Sequence, residues 1–244
     1  MKQTTLTVTE NTRLADGIYR LRLAGDTSAI TAPGQFVNLK LSGFFLRRPI
    51  SVCDWSDGEL TLIYKVLGHG TEAMTGMAVG TELDALTGLG NGFDMSRGGE
   101  HPLLVGGGVG IPPLYGLAKR LTAQGKRVTA VMGFNRKTEI FLAEEFRALG
   151  AEVVIATADG SAGIHGLVTN GMAAVSDYTY LYTCGPEPML KAVYDACKTS
   201  GQFSFEERMG CGFGACMGCS CETKYGNKRI CKDGPVLEKE EIVW

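Results

Sequence analysis

The chain has 244 residues, enough for one or two self-sufficient cores, and this excludes a small scaffold that depends on disulfides. Its 24 basic and 26 acidic side chains leave a formal charge of −2 with no long block of either sign, which argues against nucleic acid or a polybasic membrane surface as partner. With 44% hydrophobic and 20% charged residues the chain is too apolar for disorder, and its 34 glycines, about twice the usual share of ~7%, cluster between apolar runs as backbone-lined ligand loops do.

Residues 1–13 alternate Leu6 and Val8 with threonines and lack the apolar run of a signal peptide, so a cytoplasmic protein is expected. The longest uncharged stretch, residues 102–118, carries Pro102, Pro112 and Pro113, and no integral membrane segment is expected. Up to about Arg97 the pattern has period two, as in Tyr19, Leu21 and Leu23 and in Leu60, Leu62, Tyr64 and Val66. Turn signals at Asp16-Gly17, Pro33-Gly34 and Asp57-Gly58 make this an antiparallel barrel or sandwich without helices, residues 1–98.

Beyond His101 strands and helices alternate. A strand at Leu103–Val105 precedes Leu114, Leu117, Ala118 and Leu121 at helical spacing, followed by Val128–Met132, a helical stretch through Phe146 and Leu149, and Val153–Ala156. The strand Thr179–Thr183 is read as the last of this unit, before a helix carrying Met189, Ala192, Val193 and Ala196. Such alternation predicts a parallel-sheet α/β domain, residues 99–202, that binds ligands at the carboxyl ends of its strands. Residues 203–244 hold five of the eight cysteines in too short a stretch to bury a good core, and the cysteines are expected to hold this third unit together.

Those cysteines carry the strongest motif, Cys211-x4-Cys216-x2-Cys219-x11-Cys231. Four thiolates, two per iron, hold a 2Fe-2S cluster, and three ligands from one loop with a distant fourth is the plant-type arrangement. Structural zinc is the competing reading, although zinc sites more often pair two short C-x2–4-C units. Cys221, two residues past Cys219, is read as a small apolar side chain opening a strand, and Cys53 and Cys197 as core thiols.

Gly106, Gly107, Gly108 and Gly110 follow a buried strand and precede Ile111-Pro112-Pro113, a glycine loop feeding a proline-started helix that suits a pyrophosphate, although it departs from G-x-G-x-x-G. Arg48-Pro49-Ile50-Ser51 and the loop at Gly70-Thr71 offer a guanidinium, hydroxyls and backbone N–H groups to a second anionic ligand. Asp159 suits a ribose hydroxyl and hence NAD, whereas Arg136 suits a 2′-phosphate. His69, His101 and His165 lack metal-ligand spacing.

Taken in order, Arg48–Ser51, Ile63-Tyr64-Lys65, Gly70-Thr71, Gly90-Asn91-Gly92-Phe93, the glycine loop and Cys184-Gly185-Pro186 resemble the ferredoxin-NADP reductase superfamily over the whole chain. The segment from Glu206 to Cys219, with Cys231-Lys232-Asp233-Gly234-Pro235, is similar to the electron-transfer subunits of dihydroorotate dehydrogenase B. The resemblance implies an FAD-binding β-barrel with FAD on Arg48, Pro49, Ile50, Ser51, Ile63, Tyr64, Lys65, Gly70 and Thr71. It implies NAD on the α/β domain, with Cys184, Gly185 and Pro186 where nicotinamide meets flavin, and a 2Fe-2S cluster on Cys211, Cys216, Cys219 and Cys231. It further implies an FMN-containing catalytic subunit as partner, two chains of each kind, in pyrimidine (UMP) biosynthesis. The segment Gly88-Leu89 departs from the family, which has a proline after this glycine. Two alternatives remain at this point: an FAD and 2Fe-2S subunit of an NADH-dependent ferredoxin-NADP oxidoreductase, similar to sulfide dehydrogenase, and a zinc-stapled interaction module.

Overall fold

The computed structural model describes residues 1–244. The period-two segments form β1 (Lys2–Ala15), β2 (Ile18–Gly25), β3 (Phe36–Leu39), β4 (Arg48–Ser56), β5 (Glu59–Lys65) and β6 (Glu82–Leu89). They close into an antiparallel barrel in the order β1-β2-β5-β4-β3-β6, which leaves no strand edge unpaired. The alternation seen in the sequence has a direct cause: Leu6, Val8, Leu21, Leu23, Leu60 and Leu62 are buried together inside the barrel.

Between β5 and β6 lies a helix where none was expected, α1 (His69–Thr75). Seven residues with Met74 as the one large buried side chain make no readable period. Thr71 caps the helix from within, its Oγ1 accepting from the Leu67 N–H at 2.9 Å, and Asn11 Nδ2 donates to the Met74 carbonyl at 2.8 Å at the other end.

The second sheet starts at β7 (Pro102–Gly107), followed by α2 (Ile111–Ala123), β8 (Thr129–Phe134), α3 (Ala143–Ala148), β9 (Glu152–Thr157), β10 (Ile164–His165), α4 (Val168–Met172), β11 (Tyr180–Cys184), α5 (Glu187–Ala196) and β12 (Gly201–Ser204). The helical stretch expected through Leu149 is the short α3, preceded by a 3-10 turn at Lys137–Glu139. Nor is β11 the last strand: β12 and, from the cysteine-rich tail, β15 (Val236–Glu238) lie beyond it. The tail also forms the hairpin β13 (Ser220–Thr223) and β14 (Gly226–Arg229).

The strand order is β10-β9-β8-β7-β11-β12-β15, parallel except for the antiparallel β15. The chain leaves β7 toward β8 on one side and returns through β11 on the other, which opens a crevice at the carboxyl ends of β7 and β11. No helix is long and apolar enough to cross a membrane.

Apolar burial, and not the cysteines alone, anchors the tail. Cys219, Ile230, Cys231 and Leu237 share a buried cluster with Leu103, Val105 and Leu181 of the sheet and with Phe36 and Leu89 of the barrel. Leu89, where the resemblance led to the expectation of a proline, is thus a core residue. Asn91 ties barrel to tail: its N–H donates to the Gly234 carbonyl at 2.7 Å, and its side chain exchanges hydrogen bonds with the Val236 backbone at 2.8 and 3.1 Å.

Barrel and sheet meet where α2 packs on β4. The Arg120 guanidinium lies 3.4 Å above the Trp55 ring and within 3.5 Å of Asp54 Oδ1, and Lys119 adds a second ion pair to Asp54. Arg120→Ala removes the stacked plane and its stem and is expected to cost about 1–2 kcal/mol, measured as a lower urea midpoint with an unchanged slope.

Candidate functional site

Two neighbouring strands of the barrel carry the first group of residues. Arg48, Pro49, Ile50 and Ser51 open β4, paired in register with β3 so that Phe36 faces Ser51 and Asn38 faces Pro49. Ile63, Tyr64 and Lys65 close β5; Ile63 and Tyr64 are buried, the Tyr64 ring stacked on Tyr19, and Lys65 is half-buried. Gly70 and Thr71 stand in the first turn of α1, and a Cβ on Gly70 would collide with the Arg48 guanidinium. Arg48 makes no ion pair; it lies 4.7 Å over the Phe44 ring and donates to the Leu46 carbonyl. An unneutralised guanidinium beside a helix amino terminus is the donor set a diphosphate requires, so these residues fit a dinucleotide flavin.

The crevice at the strand ends is a cleft of about 470 Å³. Gly107, Gly108 and Gly110 form one wall with Pro186 and Met189, while Asp16, Ile18, Lys65 and Leu67 approach from the barrel. Lys65 is therefore shared between the first group and the cleft. Gly106, Cys184 and Gly185 stand behind the wall: β7 and β11 run side by side with Gly106 opposite Cys184. The two loops touch backbone to backbone, and a Cβ on Gly110 would stand 2.1 Å from the Cys184 carbonyl oxygen. Burial, followed by the Glu206 charge, pushes the Cys184 thiol up to about 12, so it stays protonated near neutrality.

Two acidic residues of the cleft went unrecognised as functional in the sequence. Glu206 stands on the wall, its carboxyl raised by desolvation although the side chain still reaches solvent. Glu139 faces the cleft from the 3-10 turn after β8, accepting from Asn135 Nδ2 at 2.9 Å and lying 3.4 Å from Arg136 Nε. Asp159 instead spends its carboxylate on Ser161, accepting from N at 2.9 Å and Oγ at 2.6 Å, and does not line the cleft. No strong local signal marks Glu139, because its approach to the cleft depends on a turn with no hydrophobic period. Of the histidines, His101 is buried, with Nε2 at 2.9 Å from Thr129 Oγ1, far from the strand ends that form the cleft.

The four cysteines come as two pairs. The Cys211 N–H donates to Cys216 Sγ at 3.4 Å and the Cys216 N–H to Cys211 Sγ at 3.5 Å; the Cys231 N–H donates to Cys219 Sγ at 3.4 Å. Cys216 is exposed and Cys211 half-buried, while Cys219 and Cys231 are buried. Each pair brings two thiols together, where a structural mononuclear site takes four ligands on one ion. Two thiols for each of two metal positions is instead the donor set of a binuclear cluster. Burial alone would raise the Cys211 thiol, but N–H groups of Cys216, Phe213 and Ala215 hold it down at about 6, and such donors stabilise a ligating thiolate. The Cys219–Cys231 pair has the opposite setting, with burial pushing Cys231 up to about 12. Cys221 lies on β13, packed against the shared apolar cluster, its thiol raised by burial.

Comparison with known proteins agrees with this geometry. Residues 206–243 match the family model for the iron-sulfur cluster binding domain of dihydroorotate dehydrogenase B, and residues 104–195 match the oxidoreductase NAD-binding domain. The chain is 45% identical to the dihydroorotate dehydrogenase B (NAD(+)) electron transfer subunit of Geobacillus sp. (strain WCH70), covering 100% of this chain and 99% of the relative. It is 43% identical to that of Shouchella clausii, covering 99% and 98%. Among solved structures, an NADH-dependent reduced ferredoxin-NADP oxidoreductase superposes with a TM-score of 0.90 at 28% identity, over 98% of this chain and 90% of that one. A ferredoxin NADP+ reductase from Neisseria gonorrhoeae, at 17% identity and a TM-score of 0.69 over 80% and 90%, shares the fold. With identity above two-fifths sustained from end to end, the chain belongs to the family of dihydroorotate dehydrogenase B electron transfer subunits.

Proposed function

We propose that this chain carries electrons between a dihydroorotate-oxidising catalytic subunit and NAD⁺ in the cytoplasm, as a step of pyrimidine (UMP) biosynthesis. The observation that carries the reading is the presence, in one packed chain, of two cysteine pairs, the outer one reaching the surface, and a nucleotide-sized cleft that reaches the barrel. Residues 1–98 serve as the FAD unit, 99–202 as the NAD unit and 203–244 as the cluster unit.

Arg48 and the first turn of α1 at Gly70 and Thr71 would hold the FAD diphosphate, with Pro49, Ile50, Ser51 and Ile63–Lys65 along the flavin. Gly106–Gly108, Gly110 and Cys184–Pro186 would hold the pyridine nucleotide, and Cys211, Cys216, Cys219 and Cys231 a 2Fe-2S cluster. When bound, a flavin exchanges a hydride with a nicotinamide and single electrons with an iron-sulfur cluster, so it couples two-electron to one-electron chemistry. The chain's own contribution is placement. Backbone contact between the loops after β7 and β11 gives the nucleotide a stiff wall, and Lys65 sets a positive charge where barrel and cleft meet. Protonated Cys184 adds no charge behind that wall.

The partner is a separate FMN-containing subunit that converts dihydroorotate to orotate, assembled as two chains of each kind. Anaerobic co-purification followed by dihydroorotate-dependent NAD⁺ reduction tests the reading. Recovery with an FMN-bearing dihydroorotate dehydrogenase supports it; recovery with a larger cluster-bearing flavoprotein transfers the chain to the ferredoxin-NADP oxidoreductase system, and colourless protein that holds zinc rejects both.

Glu139 sets nucleotide preference under this reading, since its carboxylate in the cleft repels a 2′-phosphate. Glu139→Lys is expected to raise kcat/KM for NADPH relative to NADH by about tenfold, measured by steady-state flavin-linked dye reduction, with NADH turnover falling less than NADPH turnover rises.

A further inference from the structure

Asn38 occupies the covered outer face of β3. Alternation sends Val37 and Leu39 into the barrel and puts Phe36 and Asn38 on the opposite face, where Phe36 packs against Cys219, Ile230 and Cys231. Asn38 is 1% exposed, and its amide makes one hydrogen bond: Nδ2 donates to the Cys211 carbonyl at 3.3 Å, while Oδ1 has no partner. Burying an acceptor unpaired is unfavourable, so an amide here is explained by the bond it keeps. Turning the amide over would set two oxygens against each other, so the Cys211 carbonyl selects the orientation.

Gly212, at φ +79°, brings its backbone onto the same amide, and a Cβ there would stand 2.4 Å from Nδ2. Of the hydrogen bonds to the segment from Cys211 to Cys219, this one comes from the barrel. On its own strand pair Asn38 faces Pro49, inside the Arg48–Ser51 segment, and its carbonyl accepts from Arg47 at 3.4 Å.

Resting on the assignment of cluster and flavin above, we infer that Asn38 is a positioning residue that pins the Cys211 end of the cluster loop to the flavin-bearing strand pair. It thereby fixes the separation between the two redox groups and tunes the outer cysteine pair. The bond is a direct protein connection between the two binding segments, running from Cys211 through one side chain to the strand that faces Pro49. It also places a donor dipole beside a ligand residue, which would favour the reduced, more negative state of a cluster held there.

The test uses the full chain with its cofactors, purified anaerobically, as wild type, Asn38→Ala and the isosteric Asn38→Asp. A wild-type chain without an iron-sulfur signal refutes the cluster assignment itself, independently of the variants. With the cluster present, both variants are expected to retain FAD and to accept hydride from NADH at the wild-type rate, because the cleft is untouched. The subsequent one-electron reduction of the cluster, followed as bleaching in stopped flow, is expected to slow by about tenfold in Asn38→Ala. The midpoint potential, read by EPR, is expected to fall in both and further in Asn38→Asp, where a carboxylate stands beside Cys211. Should Asn38→Ala fail to fold, Asn38→Asp is read alone. Unchanged potential and unchanged cluster reduction in a folded variant overturn the inference.

Discussion

Cys231→Ser is expected to lower the iron content of the purified chain by at least about tenfold while leaving FAD bound, since even residues outside the ligand shell change metal affinity by about 10–100-fold. Cys231 is buried beside Cys219, and under the proposed ligand assignment its loss would take one of two donors from the inner metal position. FAD is expected to stay because Arg48–Ser51 and Ile63–Lys65, the residues proposed to hold it, lie on β4 and β5, outside the buried cluster that holds Cys231. Cys221→Ser, two residues from Cys219, is expected to keep full iron, because the N–H to sulfur bonds that join the cysteines run within Cys211–Cys216 and Cys219–Cys231 and leave the Cys221 thiol out. Iron and labile sulfide per flavin measure both variants. Iron lost from Cys221→Ser and kept by Cys231→Ser would reverse the ligand assignment.

Gly110→Ala is expected to be nearly as severe for the other end of the molecule. The new methyl would stand 2.1 Å from the Cys184 carbonyl oxygen and 2.4 Å from its carbon, and neither is the movable end of a side chain. The loops after β7 and β11 must separate, at a cost of about 3 kcal/mol. A displacement of about 1 Å in the nucleotide wall lowers hydride transfer by about 100-fold. Reduction of the flavin by NADH in stopped flow measures this, with dithionite reduction as the control that should not change. Gly108→Ala separates packing from strain: its φ is +52° but a Cβ meets nothing within 4 Å, so it is expected to cost only about 1 kcal/mol. Equal losses in the two variants would show that backbone conformation, not the contact with Cys184, governs the wall.

The parts of this fold that obey a period were legible in the sequence. Leu21, Leu23, Leu60 and Leu62 alternate because one face of each strand is inside the barrel, and Leu114, Leu117, Ala118 and Leu121 recur on the buried side of α2. The iron-sulfur domain was equally readable, because three cysteines on a short loop and a fourth farther on have few other uses. Features made by a single residue were not. Helix α1 has one large buried side chain, β15 has three residues, and Asn38 and Asn91 act through single amides whose partners lie 173 and 145 positions away. Glu139 reaches the cleft only because a 3-10 turn carries it there. Asp159 had the composition expected of a ribose ligand, but a local turn with Ser161 competes for its carboxylate, and such competition is invisible without coordinates.

Strand β15 pairs with β12 only after the chain has passed through all four cysteines of the motif. On the ribosome, the backbone groups of β12 therefore wait without their neighbour until residues 236–238 have been made, although Gly201–Ser204 are fully buried in the finished protein. Nascent chains carry an unprotected sheet border during that interval, until Val236 and Leu237 reach the sheet.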